Sequence, residues 1–122
     1  THVSLWDPAS ERFSVPAPIE IDRELFPGKA WLWRVRWHKG NGYGVVYDEN
    51  NVSLVKTGDG IRYELVSRLE VDSLPNETDL LFGPDDEVLL LIRRELAGAH
   101  GLLGSSRPPY TDRRWQDIAR YL

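Results

Sequence analysis

The 122-residue chain has the length of one domain, and its 41% hydrophobic and 28% charged residues are ordinary for a soluble globular protein. Its net charge of −4 is spread along the chain, so electrostatics gives no reason to expect nucleic acid or a membrane surface as a partner. The absence of cysteine excludes disulfides, thiolate catalysis and cysteine-ligated metals, and leaves the compartment open. Because the chain begins at Thr1 and contains no methionine, we expect a processed product or a piece of a longer protein.

The composition predicts an all-β fold. Five Trp, five Tyr and three Phe favour strands, where flat rings pack well against a pleated surface. Ten Gly and eight Pro are spread along the chain and indicate many turns. Helical periodicity is weak, because Pro27 and Gly28 interrupt IEIDRELF, the stretch that best suits a helical turn.

The predicted strands begin with a pair at 2–6 and 13–18, joined by the turn DPASER. The stretch WLWRVRWH (31–38) alternates large apolar residues with arginine, as expected of a strand with two different faces. In the following turn KGNG, Asn41-Gly42 indicates a type I′ hairpin, since both central residues of that turn need positive φ. The other strands of this predicted antiparallel meander lie at 43–48, 52–57 and 63–69.

A second meander of four strands is predicted in the rest of the chain, at 77–82, 87–94, 100–106 and 115–122. Its last stretch, WQDIARYL, also has helical spacing at Trp115, Ile118 and Leu122. We prefer a strand there, because the stretch then repeats the arrangement of the first meander.

The repeat has a period near fifty residues. The aromatic residues that open the closing strands are Phe13, Tyr63 and Trp115, which lie 50 and 52 residues apart. A period of this length that holds four short strands is typical of β-propeller blades. The sequence therefore predicts one propeller segment over 1–122, divided into a half blade (1–18) and two antiparallel four-stranded blades (31–69 and 77–122).

The turn VKTGDGIRYEL (55–65) has the residues of a structural clamp. Asp59 can accept hydrogen bonds from nearby backbone N–H groups, and Gly60 supplies a left-handed backbone. Thr57 can hydrogen-bond across the mouth of the hairpin, while the ring of Tyr63 folds back over the turn. These residues are predicted to fasten the outer hairpin of the blade.

This turn resembles a shortened Asp box, the Ser-x-Asp-x-Gly-x-Thr-Trp motif of sialidase-type (BNR-repeat) propellers. Its matching positions are Thr57, Asp59, Gly60 and Tyr63, with one residue missing and Arg62 in place of the Thr. SSRPPYTDRRW is similar to a more degenerate version, with Ser106 and Trp115 at its ends. With WRVRWHKGNGYGVVY and PNETDLLFGPDDEVLLLIRRE, the chain resembles bacterial sialidase-like propeller proteins over nearly its full length.

The resemblance implies a carbohydrate ligand and a site where innermost strands begin and second strands finish. Sialidases grip the substrate carboxylate with an arginine cluster and use a Tyr–Glu pair with an Asp acid, and the planar fork of arginine suits that grip. By this resemblance Arg34, Arg93 and Glu77 are the catalytic candidates. The candidates for substrate binding are Trp33, Tyr47, Asp48, Asn76 and Arg94.

Structural alternatives compete with these roles. Arg34 and Arg36 alternate along a strand and are expected to form ion pairs between blades. Glu77 can merely cap a strand start, and Arg93, Arg94 and Glu95 can form a solvated rim. Polar packing is the expected role of His38, and a structural role that of His100. The three histidines have no metal-ligand spacing, so we predict no metal site, and no cofactor is expected.

Two functions therefore stay open. The first is glycoside hydrolysis or glycan binding at the channel mouth of a complete ring. The second is a non-catalytic, self-assembling structural or lectin-like module, in which Trp31, Trp33 and Tyr47 stack on sugars. Because two and a half blades cannot close a ring, we expect this chain alone to lack a complete active site. It would then belong to a longer propeller chain or form a homo-oligomer.

Overall fold

The computed structural model describes residues 1–96, 98 and 100–118. Over these residues the architecture is all-β, and no helix among them is long and apolar enough to cross a membrane. The strands are β1 (His2–Val3), β2 (Trp6–Asp7), β3 (Arg12–Phe13), β4 (Ala17–Pro18), β5 (Trp31–His38), β6 (Asn41–Tyr47), β7 (Val52–Thr57), β8 (Glu64–Arg68), β9 (Pro75–Phe82), β10 (Val88–Arg94), β11 (Gly101–Ser106) and β12 (Arg114–Ile118). They form two four-stranded antiparallel sheets and two two-stranded ones.

The first hairpin, here called the N-terminal ribbon (residues 1–19), carries two short strand pairs, β1–β4 and β2–β3. The two continuous strands predicted here are each interrupted. The Leu5 N–H donates to the Ser14 hydroxyl at 2.9 Å, which takes the place of a backbone acceptor in the ladder. Pro16 has no N–H, so it cannot donate a ladder hydrogen bond between β3 and β4. Asp7 fastens the β2–β3 turn by accepting hydrogen bonds from the Ala9 N–H and the Ser10 hydroxyl.

Sheet 1 has the strand order β5-β6-β7-β8, which confirms the first predicted meander. The prediction that its first turn is centred on Asn41-Gly42 was wrong. Lys39 and Gly40 have the positive φ values, 49° and 82°, while Asn41 already pairs with His38. Gly42 instead lies within β6, where an added Cβ would come within 2.9 Å of a Val35 methyl carbon. The hairpin therefore turns two residues earlier than the Asn-Gly signal indicates.

Sheet 2 has the order β9-β10-β11-β12 and confirms the second predicted meander. The stretch that opens at Trp115 is a strand as far as Ile118, as preferred over a helix. Its predicted continuation to 122 lies outside the described residues. The three repeat-marking aromatics have different surroundings. Phe13 is 67% exposed, Tyr63 is buried, and the Trp115 ring covers Gly104.

A continuous apolar layer joins the facing surfaces of sheets 1 and 2. Its buried members are Val45, Val52, Leu54, Leu69, Leu80, Val88, Leu90, Ile92, Leu102 and Tyr110. A second layer covers the opposite face of sheet 1 with the segment 19–30, where Phe26 meets Val46, Val55 and Tyr63. Burial of one such aliphatic or aromatic side chain is worth about 1.5–3 kcal/mol, so these two layers dominate the packing energy.

The β7–β8 turn is closed by the Asp59 carboxylate and the Thr57 hydroxyl. One carboxylate oxygen of Asp59 accepts hydrogen bonds from the Ile61 and Arg62 N–H groups at 2.8 and 2.9 Å. The Thr57 oxygen accepts the Gly60 N–H at 2.8 Å, where φ is 81°. The backbone N–H bonds from Arg62 and Ile61 lower the pKa of Asp59 below its ordinary value.

The first strand of each four-stranded sheet carries a β-bulge. Trp33 and Arg34 of β5 together oppose Val45, and Asn76 and Glu77 of β9 together oppose Arg93. A bulge places two residues against one and re-aims their side chains. Both bulges lie at the beginning of their strands, so they shape the same end of the two sheets.

Gly44 is required by the first bulge. An alanine Cβ there would lie 2.5 Å from a Leu32 methyl carbon and 2.9 Å from the Arg34 carbonyl oxygen, which is backbone and cannot swing away. We expect Gly44→Ala to lower the free energy of unfolding by about 1–3 kcal/mol, as overpacking does. Urea denaturation measures the change. Gly58→Ala is the matched control, since nothing lies within 4 Å of its added Cβ, and an equal loss in both variants would contradict the explanation.

Candidate functional site

The bulged ends of β5 and β9 flank a cleft of about 450 Å³. Its aromatic and charged side chains are Trp33, Arg34, Glu77, Asp79, Arg93, Arg94 and Glu95. A neighbouring hollow of about 520 Å³ shares Glu95 and contains Trp31, Tyr47, Asp48 and Asn76. Each catalytic and substrate-binding candidate from the sequence therefore lines one of these two depressions.

Asp79 is the centre of an ion-pair group that links sheet 1 to sheet 2. Its carboxylate accepts hydrogen bonds from Arg34 at 2.9 Å and from Arg36 at 3.1 and 3.2 Å. The Arg36 hydrogen bond is the main reason that the pKa of Asp79 is lowered, with smaller contributions from the Leu80 N–H and the two arginine charges. Arg34 and Arg36 therefore form ion pairs between the two sheets, as the structural alternative expected.

Glu77 and Arg93 form a second group at the start of β9. Arg93 donates to Glu77 at 3.2 Å and pairs with Glu95 at 3.0 Å. Asn76 completes the network, because its amide donates to Glu95 and its carbonyl oxygen accepts the Glu77 N–H, both at 2.8 Å. The Glu77 carboxylate and the Arg93 guanidinium therefore fix each other's position at the cleft.

Tyr47 lies beside this second group. Burial is the main cause of the raised pKa of its phenol; the Glu77 charge adds to the rise and the Arg93 charge opposes it. The Tyr47 ring stacks with Trp31, with 6.0 Å between centroids and 25° between planes. The phenol is thus kept protonated, and Trp31 is held at the rim of the hollow.

Arg94 and Asp48 are occupied by structural contacts. The Arg94 side chain is only 8% exposed and pairs with Asp72 at 3.2 Å and with Asp117. It also donates to the His100 carbonyl oxygen. Asp48 accepts the N–H groups of the two following asparagines, at 2.7 and 2.6 Å, and so fastens the β6–β7 turn. The structure therefore assigns both side chains a structural contact, and the Arg94 guanidinium is fully occupied by its partners.

His38 lies at the opposite end of β5 and packs between the sheets. Its Nε2 lies 2.7 Å from the Asp86 carboxylate, which also pairs with Lys39 at 2.7 Å. Its ring stacks on Phe82, with 4.3 Å between centroids. The predicted packing role is confirmed, and within 1–96, 98 and 100–118 no cluster of three metal-ligating side chains occurs.

The positions that matched the Asp-box pattern lie on or beside the turns that lead into β8 and β12, with Trp115 inside β12. Thr57, Asp59 and Gly60 form the β7–β8 turn, and Tyr63 packs on Phe26 behind it. In sheet 2 the Ser106 hydroxyl donates to the Asp112 carbonyl oxygen at 2.5 Å, so a hydroxyl is bonded there without a turn carboxylate. None of these positions lines the cleft.

Sequence reasoning missed Asp79, although it joins two of the arginines that were singled out. The available signal was the spacing Glu77-x-Asp79, because residues two apart on a strand share a face. The sequence around Asp79 gave no other indication, because an acidic residue in an apolar strand is usually a solvent-exposed position.

No protein-family model, curated protein or solved structure matches the chain.

The charge on Asp79 stabilises the contact between the sheets. Because its folded-state pKa is lowered, its contribution is complete well above the usual aspartate pKa of about 3.9 and is lost as the pH falls through the folded value. We expect Asp79→Asn to lower the free energy of unfolding by about 0.5–1 kcal/mol at pH 7, a small figure since the group is partly exposed. The difference from the unaltered chain should shrink below about pH 4.

Urea denaturation between pH 7 and pH 3 checks this prediction. Glu64→Gln is the matched control, because its pair with Lys56 lies within sheet 1 and is well exposed. A loss at pH 7 that persists unchanged at pH 3 would mean that the Asp79 charge is not its cause.

Proposed function

We propose that this chain is a carbohydrate-binding segment of a sialidase-like β-propeller, with its ligand in the cleft between β5 and β9. The observation that carries the proposal is the half-exposed indole of Trp33 beside a row of fixed arginines and carboxylates. A flat aromatic face stacks on the apolar C–H face of a sugar, and planar charged groups hydrogen-bond its hydroxyls. Trp31 extends the aromatic rim on the hollow next to it.

The propeller assignment rests on the repetition of sheets. Two four-stranded meanders have the same strand order, and their innermost strands, β5 and β9, contact each other. The fastened β7–β8 turn supports an Asp-box relationship through Thr57, Asp59 and Gly60. In this proposal the N-terminal ribbon is a half blade, and the two sheets are blades.

The charges of the cleft favour a neutral sugar. Three arginines and three carboxylates line it, and each of these arginines is paired with at least one acidic residue. An anionic sugar would have to displace Asp79 or Glu77 from its arginine before it gained a bidentate contact. A neutral glycan needs no such displacement.

Binding is better supported than hydrolysis. A glycosidase needs one carboxyl group with a raised pKa as the acid and a second carboxylate or base on the other side of the bond. Asp79 has a lowered pKa, and Glu77 is held by Arg93. Tyr47 has a raised pKa, so its phenol is a poor nucleophile.

Trp33→Ala tests the binding site against Trp37→Ala on the same strand. The two indoles are 52% and 57% exposed, but only Trp33 lines the cleft. After a glycan array has selected a ligand, we expect calorimetry to show at least a tenfold loss of affinity for Trp33→Ala, since truncating an aromatic residue at the centre of a binding surface commonly costs about 2 kcal/mol or more. Trp37→Ala should bind normally. Equal losses in both variants, or an array with no binding, would refute the proposal.

Glycoside hydrolysis is the second candidate, favoured by one observation. The charge of Glu77 acts on the Tyr47 phenol, which is the residue pair that the sialidase resemblance implies. If the cleft is catalytic, a panel of fluorogenic glycosides should show turnover that Glu77→Gln abolishes while the thermal unfolding temperature is retained. Turnover that survives in Glu77→Gln would exclude this residue as the catalytic carboxylate.

A further inference from the structure

Sheet 2 has an uncovered apolar surface, here called the leucine face, formed by Leu81, Leu89, Leu91 and Leu103. The register pairs Leu81 with Leu89 and Leu91 with Leu103, so the four side chains lie together on one side of three neighbouring strands. Leu81 is 66% exposed and Leu91 is also exposed. A contiguous apolar surface of this kind is unusual on a solvated sheet and indicates a contact surface.

The internal repeat shows what such a face does in this fold. Sheet 1 is covered on both faces, by the segment 19–30 on one side and by sheet 2, the next layer along the chain, on the other. In sheet 1 the face toward the next layer carries Val45 and Leu54, which are buried against Leu80 and Leu90 of sheet 2. The leucine face occupies the corresponding side of sheet 2, on its first three strands, and the second and third of these correspond to β6 and β7 of sheet 1. It is therefore the continuation of an interface that already exists within the molecule.

The N-terminal ribbon, which leads into the segment that covers the other face of sheet 1, carries a second apolar surface, the aromatic patch of Trp6, Phe13 and Val15. Trp6 and Phe13 are a cross-strand pair of the N-terminal ribbon, with 5.0 Å between ring centroids in an edge-to-face arrangement. All three side chains are more than half exposed. The ribbon is only two strands wide at each of its strand pairs, so it presents both its apolar side chains and its unpaired backbone edges to solvent.

We propose that the leucine face of one molecule docks on the aromatic patch of a second copy of this chain. The two surfaces lie at opposite ends of the order ribbon, sheet 1, sheet 2, so the contact continues the face-to-face packing that the chain uses internally. Such a contact is heterologous, because it joins two different surfaces and leaves one of each free at the ends. Repetition of the same contact either closes a ring or extends a filament.

Sedimentation velocity on two complementary variants tests the proposal. Leu81→Glu places a charge on the leucine face, and Trp6→Ser with Phe13→Ser removes the aromatic patch. The unaltered chain should associate with increasing concentration over the micromolar range, and each variant alone should associate at least tenfold more weakly. An equimolar mixture of the two variants should form a dimer, since each retains the surface that the other has lost.

The variants also distinguish the proposed contact, between a leucine face and an aromatic patch, from a symmetric contact between two identical surfaces. If leucine faces pair with each other, the aromatic-patch variant alone would still associate and the proposal would be wrong. Leu96→Glu is the control, because that side chain is 70% exposed and belongs to neither surface. It should associate like the unaltered chain. A monomer at all concentrations, or variants that fail to complement each other while circular dichroism shows both folded, would also overturn the inference.

Discussion

The face-to-face packing of sheet 1 on sheet 2 is the contact on which the rest of the structure depends. Val45 and Leu54 on one side and Leu80 and Leu90 on the other are almost completely buried. This layer fixes the distance and the angle between the sheets, and so brings β5 beside β9. The polar contacts follow from it, with Asp79 meeting two arginines near one end and Asp86 meeting His38 at the other. Exposed ion pairs of this kind contribute little energy, so they add to a contact that the apolar layer has already set.

β-Bulges in β5 and β9, the first strands of the two sheets, shape the candidate site. A regular strand would alternate its side chains strictly, whereas the bulge at Trp33–Arg34 puts an indole and a guanidinium together at the cleft. Gly44 makes room for that bulge, because the Arg34 carbonyl oxygen occupies the space of a side chain. The site thus depends on a small residue in a neighbouring strand that does not itself line the cleft.

The repetition in this chain is one of topology more than of side chains. Both sheets have the same strand order, yet their outer turns are bonded differently, by Asp59 and Thr57 in one and by the Ser106 hydroxyl in the other. Only the backbone path has to recur for sheets to stack, and any group that satisfies the turn N–H and C=O groups is sufficient. This explains why the aromatic spacing marks the repeat while Phe13, Tyr63 and Trp115 have different surroundings.

The sequence by itself determined the all-β class, both meanders and most strand bounds, because alternation and turn residues are local signals. It also placed Trp33, Arg34 and Glu77 near the strand ends that flank the cleft, although it missed Asp79. Only the tertiary structure decided which arginines were already paired, since Arg34 and its partner Asp79 lie on different sheets and no local pattern connects them. It likewise moved the first hairpin from Asn41-Gly42 to Lys39-Gly40, because close packing against Val35 requires Gly42 within the strand. The turn preference of the local sequence indicates that a hairpin forms, and the packing of β5 against β6 decides which residues form its turn.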